Sequence, residues 1–323
     1  MKKPLLIIAG EPNSISSEII CKSWVLRNKF KYTPFFVLGS LEILQKQIKA
    51  LNYKTKVFEI NNLSKTFKYF KKGIPVLNIS YKQKKPFEKV STKSRKYLFK
   101  CFNKANDLVL SKQISGYINC PVSKDRLFNK KYNGVTEYLS KKFNLKNNET
   151  MLIYNKNFSI SPLTTHIQIK KVTKKITKKL IINKIFNLSN NYKKMFNKKP
   201  KIAVLSLNPH GNEEIINSEE HKVIFPALKF LKNKKINILG PYPADSFFMK
   251  KVNFDVVVGM YHDQVLIPIK TLFGNNAINI TLGLPFIRIS PDHGIASDIV
   301  GKRLASPMSL IACLKFLSKR NEI

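Results

Sequence analysis

Short apolar runs alternate with longer segments of helical periodicity along most of the chain, and this alternation restricts the possible folds more than any other feature of the sequence. Strands are predicted at Leu5–Ala9, Phe35–Leu38, Lys56–Ile60, Pro75–Ile79, Gly116–Asn119, Lys201–Leu207, Ile236–Leu239, Val256–Gly259 and Ala277–Thr281. Helices are predicted at Ser16–Arg27, Leu41–Ala50, Thr92–Val109 and Lys174–Phe196. Strands that alternate with helices indicate an α/β sheet.

The last of these helices has an amphipathic pattern. Its apolar positions are Ile176, Leu180, Ile182, Ile185 and Phe186, and the other positions are nearly all Lys and Asn. We therefore expect these five residues to form the face that packs against the core. With 323 residues, the chain is long enough for two domains or for one large interwound α/β unit.

The charge of the chain is strongly unbalanced. Basic residues number 58 and acidic residues 19, and only six of the basic residues are arginines. Such an excess raises the question of nucleic-acid binding. Because lysine, asparagine and isoleucine are abundant along the whole chain, the bias resembles a codon preference, and the scarcity of arginine argues against specific nucleic-acid recognition. A positive field would still speed the approach of an anionic substrate.

The cysteines and the amino terminus indicate the compartment. Cys21, Cys101, Cys120 and Cys313 form no Cys-x-x-Cys pair and predict reduced core thiols. The apolar stretch 4–10 is cut by Glu11 and Pro12 and is too short for a signal peptide. No apolar run approaches the roughly 18–20 residues of a membrane span. We expect a cytoplasmic protein with no membrane partner.

Three of the five histidines stand where a predicted strand ends in a turn. They are His166 in Leu-Thr-Thr-His, His210 in Leu-Asn-Pro-His-Gly and His262 in Gly-Met-Tyr-His-Asp-Gln. In open α/β sheets ligands bind at the carboxyl ends of the strands, where three imidazoles would hold a divalent metal with open coordination positions. Hydrogen-bonded structural histidines are an equally good interpretation of the spacing.

The stretch 279–294 offers an amide, a guanidinium and a Gly-rich turn in close succession. Arg288 follows an apolar run, which favours pairing with a carboxylate or phosphate, either of a substrate or of an internal acidic residue. Lys270 gives a weaker signal because most lysines must face solvent. The chain contains no Gly-x-Gly-x-x-Gly and no P-loop, so a standard dinucleotide or phosphate-binding loop is not predicted.

A collinear set of motifs resembles one enzyme family. The motifs are Gly10-Glu11-Pro12, Cys120-Pro121-Val122-Ser123-Lys124, Thr136-Glu137-Tyr138, Thr164-Thr165-His166-Ile167, Leu207-Asn208-Pro209-His210, Gly240-Pro241-Tyr242-Pro243-Ala244-Asp245, Tyr261-His262-Asp263-Gln264 and Thr281-Leu282-Gly283-Leu284-Pro285. They resemble the 4-hydroxythreonine-4-phosphate dehydrogenases of pyridoxine biosynthesis. With the stretch 293–302, the resemblance runs from Gly10 to Gly301, nearly the whole chain.

The resemblance implies an isocitrate/isopropylmalate-dehydrogenase-like fold of two interwound α/β/α domains with the active site in the cleft between them. Domain one would comprise 1–125 and 275–323, and domain two 126–274 with the metal ligands and the interface of a homodimer. The family's metal ligands match His166, His210 and His262, which would hold one divalent ion, Zn, Mg or Co. Its substrate contacts match Thr136, Lys270, Asn279 and Arg288, with Lys270 also a possible proton relay.

The resemblance also implies the cofactor and the reaction. The stretch 293–302 resembles the cofactor loop of decarboxylating dehydrogenases, so NAD or NADP would contact His293, Gly294 and Asp298. Hydride transfer from 4-hydroxythreonine 4-phosphate to the nicotinamide would give a β-keto acid, and loss of CO₂ would give 3-amino-2-oxopropyl phosphate.

Three of the chain's departures from the family pattern bear on function. Ser14 and Ser16 replace glycines, and Val135 replaces a histidine that precedes Thr136. Valine has no polar group for an anionic substrate, so a related enzyme for threonate or erythronate 4-phosphate is the alternative. A third hypothesis, a catalytically weakened basic binding protein, is disfavoured because the matched histidines, Lys270, Asn279 and Arg288 are all present.

Overall fold

The computed structural model describes residues 3–145, 149–211 and 215–320, with Asn275 described by its backbone alone. Within these residues the strands are β1 Leu5–Ile8, β2 Phe35–Gly39, β3 Val57–Glu59, β4 Ile74–Asn78, β5 Gly116–Asn119, β6 Thr150–Tyr154, β7 Ser159–Thr164, β8 Ile202–Leu205, β9 Ile238–Tyr242, β10 Val256–Tyr261, β11 Ile278–Leu282 and β12 Ile287–Pro291. The chain divides into two compact units, Met1–Tyr138 with Pro285–Ile323, and Leu139–Leu284, here called unit 1 and unit 2.

The helices lie between the strands in the order expected for an α/β protein. They are α1 Ser16–Val25, α2 Arg27–Phe30, α3 Leu41–Ala50, α4 Thr66–Phe70, α5 Arg95–Leu110, α6 Lys124–Phe128, α7 Val135–Lys142, α8 Val172–Lys175, α9 Lys178–Phe196, α10 Phe225–Asn233, α11 Ala244–Phe247, α12 His262–Phe273 and α13 Met308–Arg320. Hydroxyl caps begin two of the longer helices: Ser40 accepts from the Ile43 N–H, and Thr177 from the Leu180 N–H. None of the helices in the described ranges combines the length and apolar character needed to cross a membrane.

Unit 1 is built on parallel strands in the order β3-β4-β2-β1-β5-β12. Every residue of β1, β2 and β5 is buried. Parallel strands covered on both faces require near-continuous apolar sequence, which explains why the runs in Leu5–Ile8 and Phe35–Gly39 are such clear signals.

Unit 2 has the strand order β11-β6-β7-β10-β8-β9. Strands β7, β10, β8 and β9 are parallel, whereas β6 is antiparallel to both β7 and β11. A core that includes Ile160, Leu205, Val257, Val265 and Ile269 packs α12 against the sheet. The carboxyl ends of β7, β10 and β8 therefore lie side by side at one edge of the sheet.

The predicted α/β class is confirmed, and the nine predicted strands are all present with ends shifted by at most three residues. Strands β6 and β12 were not predicted, and β7 was expected only as a strand of unstated bounds that ends before His166. The helix predicted at Lys174–Phe196 is interrupted at Ile176, between α8 and α9. Its predicted core face was wrong in part: Ile176 and Ile185 are buried, but Phe186 is 42% exposed, and the buried face of α9 continues instead through Ile181, Leu188 and Tyr192. Phe186 follows the buried Ile185 in sequence but lies on the exposed side of the helix, so counting it as a core position predicted the wrong face.

Candidate active site

The three histidines predicted as metal ligands follow three adjacent parallel strands of unit 2. His166 comes two residues after β7, His262 comes directly after β10 and begins α12, and His210 comes five residues after β8. The carboxyl edge of a parallel sheet is where ligands bind in open α/β folds. The topology therefore gathers the loops that carry all three histidines.

His166 and His262 lie close together. Their ring centroids are 5.4 Å apart, and both line a cavity of about 280 Å³ together with Thr164, Tyr261 and Asp263. Asp263 Oδ1 lies 2.6 Å from His262 Nδ1. A carboxylate on one ring nitrogen orients an imidazole and leaves the other nitrogen available to a metal ion. The pair supplies two imidazole donors of the kind that hold Zn²⁺ or Co²⁺.

His210 is placed differently. It is exposed, it belongs to the short turn Pro209–Gly211, and it does not line that cavity. Among the residues described, no three His, Cys, Asp or Glu side chains are close enough to hold a metal ion. The structure thus brings together two of the three predicted ligands and places the third on the loop after the neighbouring strand.

Two of these histidines have an unusual backbone conformation. The φ angle is +47° at His166 and +56° at His210. Left-handed φ is uncommon outside glycine and costs free energy unless the surroundings enforce it, and it is concentrated at functional sites. Thr164 helps to enforce it at the first loop, because its hydroxyl donates to the Met260 carbonyl oxygen at 2.8 Å and joins the ends of β7 and β10.

Lys270 and Asn279, two predicted substrate contacts, are also in unit 2. Lys270 lies on the exposed side of α12, two turns after His262. Asn279 is on β11, and its Oδ1 atom is buried with no hydrogen-bond partner in the described part of the chain. Buried amide oxygens are nearly always paired, so an orphaned one is the kind of acceptor that a ligand completes.

Arg288 and Thr136, the other two predicted substrate contacts, are in unit 1. Arg288 lies on β12 opposite Tyr117, is 3% exposed, and donates from Nε to Asn119 Oδ1 at 2.6 Å. Burial lowers the pKa of Arg288 to about 10, so the guanidinium remains charged at neutral pH. Thr136 lies in the first turn of α7. A buried cation held by an amide is suited to binding an anion.

Lys124 belongs with these residues, although the sequence did not single it out among 52 lysines. Lys124 and Glu137 both lie close to Gly134. A β-carbon placed on Gly134 would be 3.7 Å from Lys124 Cε and 3.0 Å from Glu137 Oε2. Desolvation is the main cause that lowers the pKa of Lys124; the Arg288 charge acts in the same direction, and the Glu137 charge opposes it. The only feature of the sequence that distinguished Lys124 was its position at the end of the Cys-Pro-Val-Ser-Lys motif.

Val135 and the two serines show what the departures do structurally. Val135 is buried at the start of α7 and presents no polar atom. Ser14 Oγ donates to the Glu11 carbonyl oxygen at 2.6 Å and accepts from the Ser16 N–H at 3.2 Å. Neither serine has a left-handed φ, so the loop does not need glycine there, whereas Gly10, with φ +76°, has no room for a β-carbon beside the Pro121 carbonyl oxygen.

The stretch 293–302, predicted to bind the cofactor, is an irregular segment of unit 1. His293 Nδ1 lies 3.1 Å from the Gly294 carbonyl oxygen, and both Gly294 and Asp298 are exposed. The Ile15 N–H donates to the Ile295 carbonyl oxygen at 3.3 Å. The segment thus runs past the amino end of α1.

Glu18 and Lys22 of α1 hold the chain just beyond this segment. Glu18 is buried, and its Oε1 accepts from Lys22 Nζ at 2.6 Å and from the Ala305 N–H at 2.9 Å. Lys22 Nζ also donates to the carbonyl oxygens of Arg303 and Ala305. One ion pair therefore satisfies one N–H group and two carbonyl oxygens of a loop that has no regular secondary structure.

Comparisons with known proteins agree with one another. The sequence model of the family described as "Pyridoxal phosphate biosynthetic protein PdxA" matches residues 31–317. A 4-hydroxythreonine-4-phosphate dehydrogenase from Sulfurihydrogenibium sp. (strain YO3AOP1) is 36% identical over 315 residues, 96% of each chain, and one from Bradyrhizobium diazoefficiens is 32% identical over 98% of this chain and 96% of the relative.

Solved structures give the same result. The crystal structure of 4-hydroxythreonine-4-phosphate dehydrogenase from Klebsiella pneumoniae superposes with a TM-score of 0.84, at 27% identity and 99% coverage of both chains. A terephthalate 1,2-cis-dihydrodiol dehydrogenase from Burkholderia xenovorans LB400 shares the fold, with a TM-score of 0.61 at 18% identity over 98% of both chains.

The Glu18 anchor generates a prediction about stability. Glu18→Ala leaves the buried Ala305 N–H without its acceptor and should lower the free energy of unfolding in urea by about 1.5–3 kcal/mol. Glu42→Ala is the matched control because Glu42 forms the same i,i+4 pair with Lys46, at 2.7 Å, on an exposed surface, and it should leave the unfolding midpoint unchanged. Equal effects of the two substitutions would contradict the anchoring role.

Proposed function

The chain belongs to the PdxA family of pyridoxal phosphate biosynthetic proteins, and on that premise we propose that it is a 4-hydroxythreonine-4-phosphate dehydrogenase that uses a nicotinamide cofactor and a divalent metal ion. The observation that carries the proposal is the pairing of His166 and His262 in one cavity at the carboxyl edge of the unit 2 sheet. The near-complete coverage of relatives that bear this enzyme name supports it.

The proposed reaction is an oxidation followed by loss of CO₂. Oxidation of the secondary alcohol of the substrate removes a hydride from carbon and a proton from oxygen to give a β-keto acid, which loses CO₂ and takes up one proton at the α-carbon to leave 3-amino-2-oxopropyl phosphate. A nicotinamide cofactor, when bound, would supply the hydride acceptor. Bound at the histidines, a divalent metal would supply Lewis acidity toward the alcohol oxygen and the carboxylate. His166 and His262, with His210 as the third ligand, are the residues that would hold it.

Four further residues would bind and orient the anionic substrate. In unit 1, Arg288 offers a guanidinium that is already desolvated, and Thr136 offers a hydroxyl in the first turn of α7. In unit 2, Asn279 offers an unpaired carbonyl oxygen that can accept from a substrate hydroxyl or ammonium group. Lys270 supplies a further positive charge and is a candidate to accept or return the hydroxyl proton.

The proposal also covers the cofactor, the compartment and the oligomeric state. The cofactor is NAD or NADP, bound by the stretch 293–302 through His293, Gly294 and Asp298. The enzyme is cytoplasmic, since Cys21, Cys101, Cys120 and Cys313 are free buried thiols. It is also a homodimer. Ile267 and Leu272 are 61% and 51% exposed on α12, where a second copy would cover them.

A second candidate function is favoured by Val135. This buried side chain cannot donate a hydrogen bond where the family has histidine. A dehydrogenase of threonate or erythronate 4-phosphate, which lack the amino group of 4-hydroxythreonine 4-phosphate, would account for a changed contact.

An assay of NADH production tests the proposal directly. The purified protein with Zn²⁺ or Co²⁺ and NAD should form NADH fastest from 4-hydroxythreonine 4-phosphate within a panel that includes threonate and erythronate 4-phosphates. Chelation should abolish the reaction, and added metal should restore it. Faster turnover of a sugar-acid phosphate would replace the assignment with the second candidate.

The histidines can be tested by metal binding alone. His166→Ala and His262→Ala should each weaken Co²⁺ binding, measured by titration calorimetry, by at least about tenfold, because each removes an imidazole donor. His210→Ala should do the same. The control is His221→Ala, whose side chain is exposed outside this site. Unchanged Co²⁺ affinity in His166→Ala and His262→Ala would remove the metal site from the proposal.

Val135 provides a test of substrate identity. If the family contact is merely missing, Val135→His should lower KM for 4-hydroxythreonine 4-phosphate by about tenfold or more, since a charge-assisted hydrogen bond contributes about 1.5–3 kcal/mol. The value of kcat should change little, as expected for uniform binding. Val135→Leu is the control for added bulk without a donor. A KM that stays the same or rises in Val135→His would favour the sugar-acid phosphates.

A further inference from the structure

Strands β8 and β10 stop pairing before the chain reaches the histidines. Their register runs from Ile202 opposite Val256 to Val204 opposite Val258. Beyond that point the Gln264 side chain takes over: its Oε1 accepts from the Met260 N–H at 2.8 Å, and its Nε2 donates to the Ser206 carbonyl oxygen at 2.7 Å. One amide thus joins the strand end that leads to His262 with the strand end that leads to His210.

The loop after β8 is held a second time, by Glu220. The Glu220 carboxylate is fully buried, and its Oε1 accepts from the N–H groups of Leu207 and Asn208 at 2.7 and 2.9 Å. Its Oε2 accepts from Asn208 Nδ2 at 2.8 Å. These two residues directly precede Pro209 and His210, so the carboxylate holds the stem of the loop that carries His210.

Burying the Glu220 carboxylate is unfavourable. A carboxylate removed from water loses favourable solvation, and within the described part of the chain Glu220 forms no ion pair and is satisfied by N–H donors. Glu220 also opens a π-helical turn, Glu220–Ile224, an element that is rare and often found at functional sites. A loop that needed only to be covered would not require a buried charge.

Gly259 leaves the space that Gln264 uses. A β-carbon at this position would lie 3.0 Å from Gln264 Oε1 and 2.6 Å from Val265 Cγ1. Because Val265 is a buried core residue on α12, it has little freedom to move aside. The absence of a side chain at Gly259 therefore lets the first turn of α12 approach β10 closely enough for the amide bridge.

We propose that Gln264 and Glu220 are positioning residues that set the loop of His210 against the strand end of His262, so that the third imidazole can join the metal ion. The inference rests on the proposed metal site. Outer residues that orient metal ligands typically change metal affinity by about 10–100-fold when they are replaced. A merely structural role would instead lower stability and leave the affinity for the metal unchanged.

The same two strands provide a matched control at their other ends. Asp255 Oδ2 accepts from the Lys201 N–H at 2.8 Å, and Oδ1 accepts from Lys198 Nζ at 2.7 Å. This carboxylate joins the amino ends of β8 and β10, at the edge opposite the histidines. Asp255→Ala should therefore reduce stability without changing metal affinity.

The experiment measures Co²⁺ binding to the full chain by calorimetry and by the visible spectrum of the bound ion. Gln264→Met keeps the side-chain length and removes both hydrogen bonds, and we expect its Kd for Co²⁺ to rise by about 10–100-fold with an altered spectrum. Glu220→Ala should behave similarly. Glu220→Gln retains the Oε1 acceptor and should recover most of the affinity. The Kd of Asp255→Ala should stay within about twofold of the unmodified protein.

Each outcome decides the matter. If the unmodified protein binds no Co²⁺, or binds it independently of His166 and His262, both the metal site and this inference are overturned. If it binds through the histidines but Gln264→Met binds equally well, this inference alone is overturned. An equal loss in Asp255→Ala would also overturn it, because general loosening of the strands would explain everything. Should Glu220→Ala fail to fold, Gln264→Met with Gln264→Glu decides, since Gln264→Glu keeps only the acceptor for Met260.

Discussion

Burial of parallel strands on both faces is the constraint on which the rest of this structure depends. Where every side chain of a strand is buried, as in β1, β2 and β5, a polar group that must remain accessible to solvent is placed where the strand stops. The ends of β7, β8 and β10 carry the histidines for this reason. The apolar runs that make the fold recognisable also restrict where a site can be.

The same constraint creates a problem that side chains solve. Parallel strands diverge as they leave the sheet, and their backbone groups lose their partners while still partly buried. Here Thr164 and Gln264 bridge adjacent strand ends, and Glu220 collects the N–H groups of the next loop. Hydrogen bonds of this kind satisfy the backbone and also restrict the position of each loop. The same side chains therefore pair the backbone groups and fix the loops that carry the histidines.

The sequence predicted the fold to the extent that burial produced unbroken apolar runs. It missed β6, Thr150–Tyr154, which is antiparallel to both of its neighbours in a sheet that is otherwise mostly parallel, and it missed β12, where Arg288 interrupts the apolar pattern. The candidate site was predicted by motif and not by geometry. Spacing indicated that the histidine loops share one edge, but it carried no information on the distance between His166 and His262, or on the exposed position of His210. Bridging residues such as Glu220 have no local signature, because their partners are backbone groups.

The net charge of +39 bears on how selectivity arises. Fifty-two lysines create a field that attracts any anion, and such a field speeds encounter without distinguishing one phosphate ester from another. Discrimination must therefore come from groups that are already desolvated and directionally held. Of the residues proposed to bind the substrate, Arg288, buried and oriented by Asn119, meets this requirement, and so does the unpaired carbonyl oxygen of Asn279. A ligand that fails to satisfy the Asn279 oxygen leaves this buried polar atom unpaired, which costs about 1–3 kcal/mol, whereas a lost surface lysine contact is replaced by water.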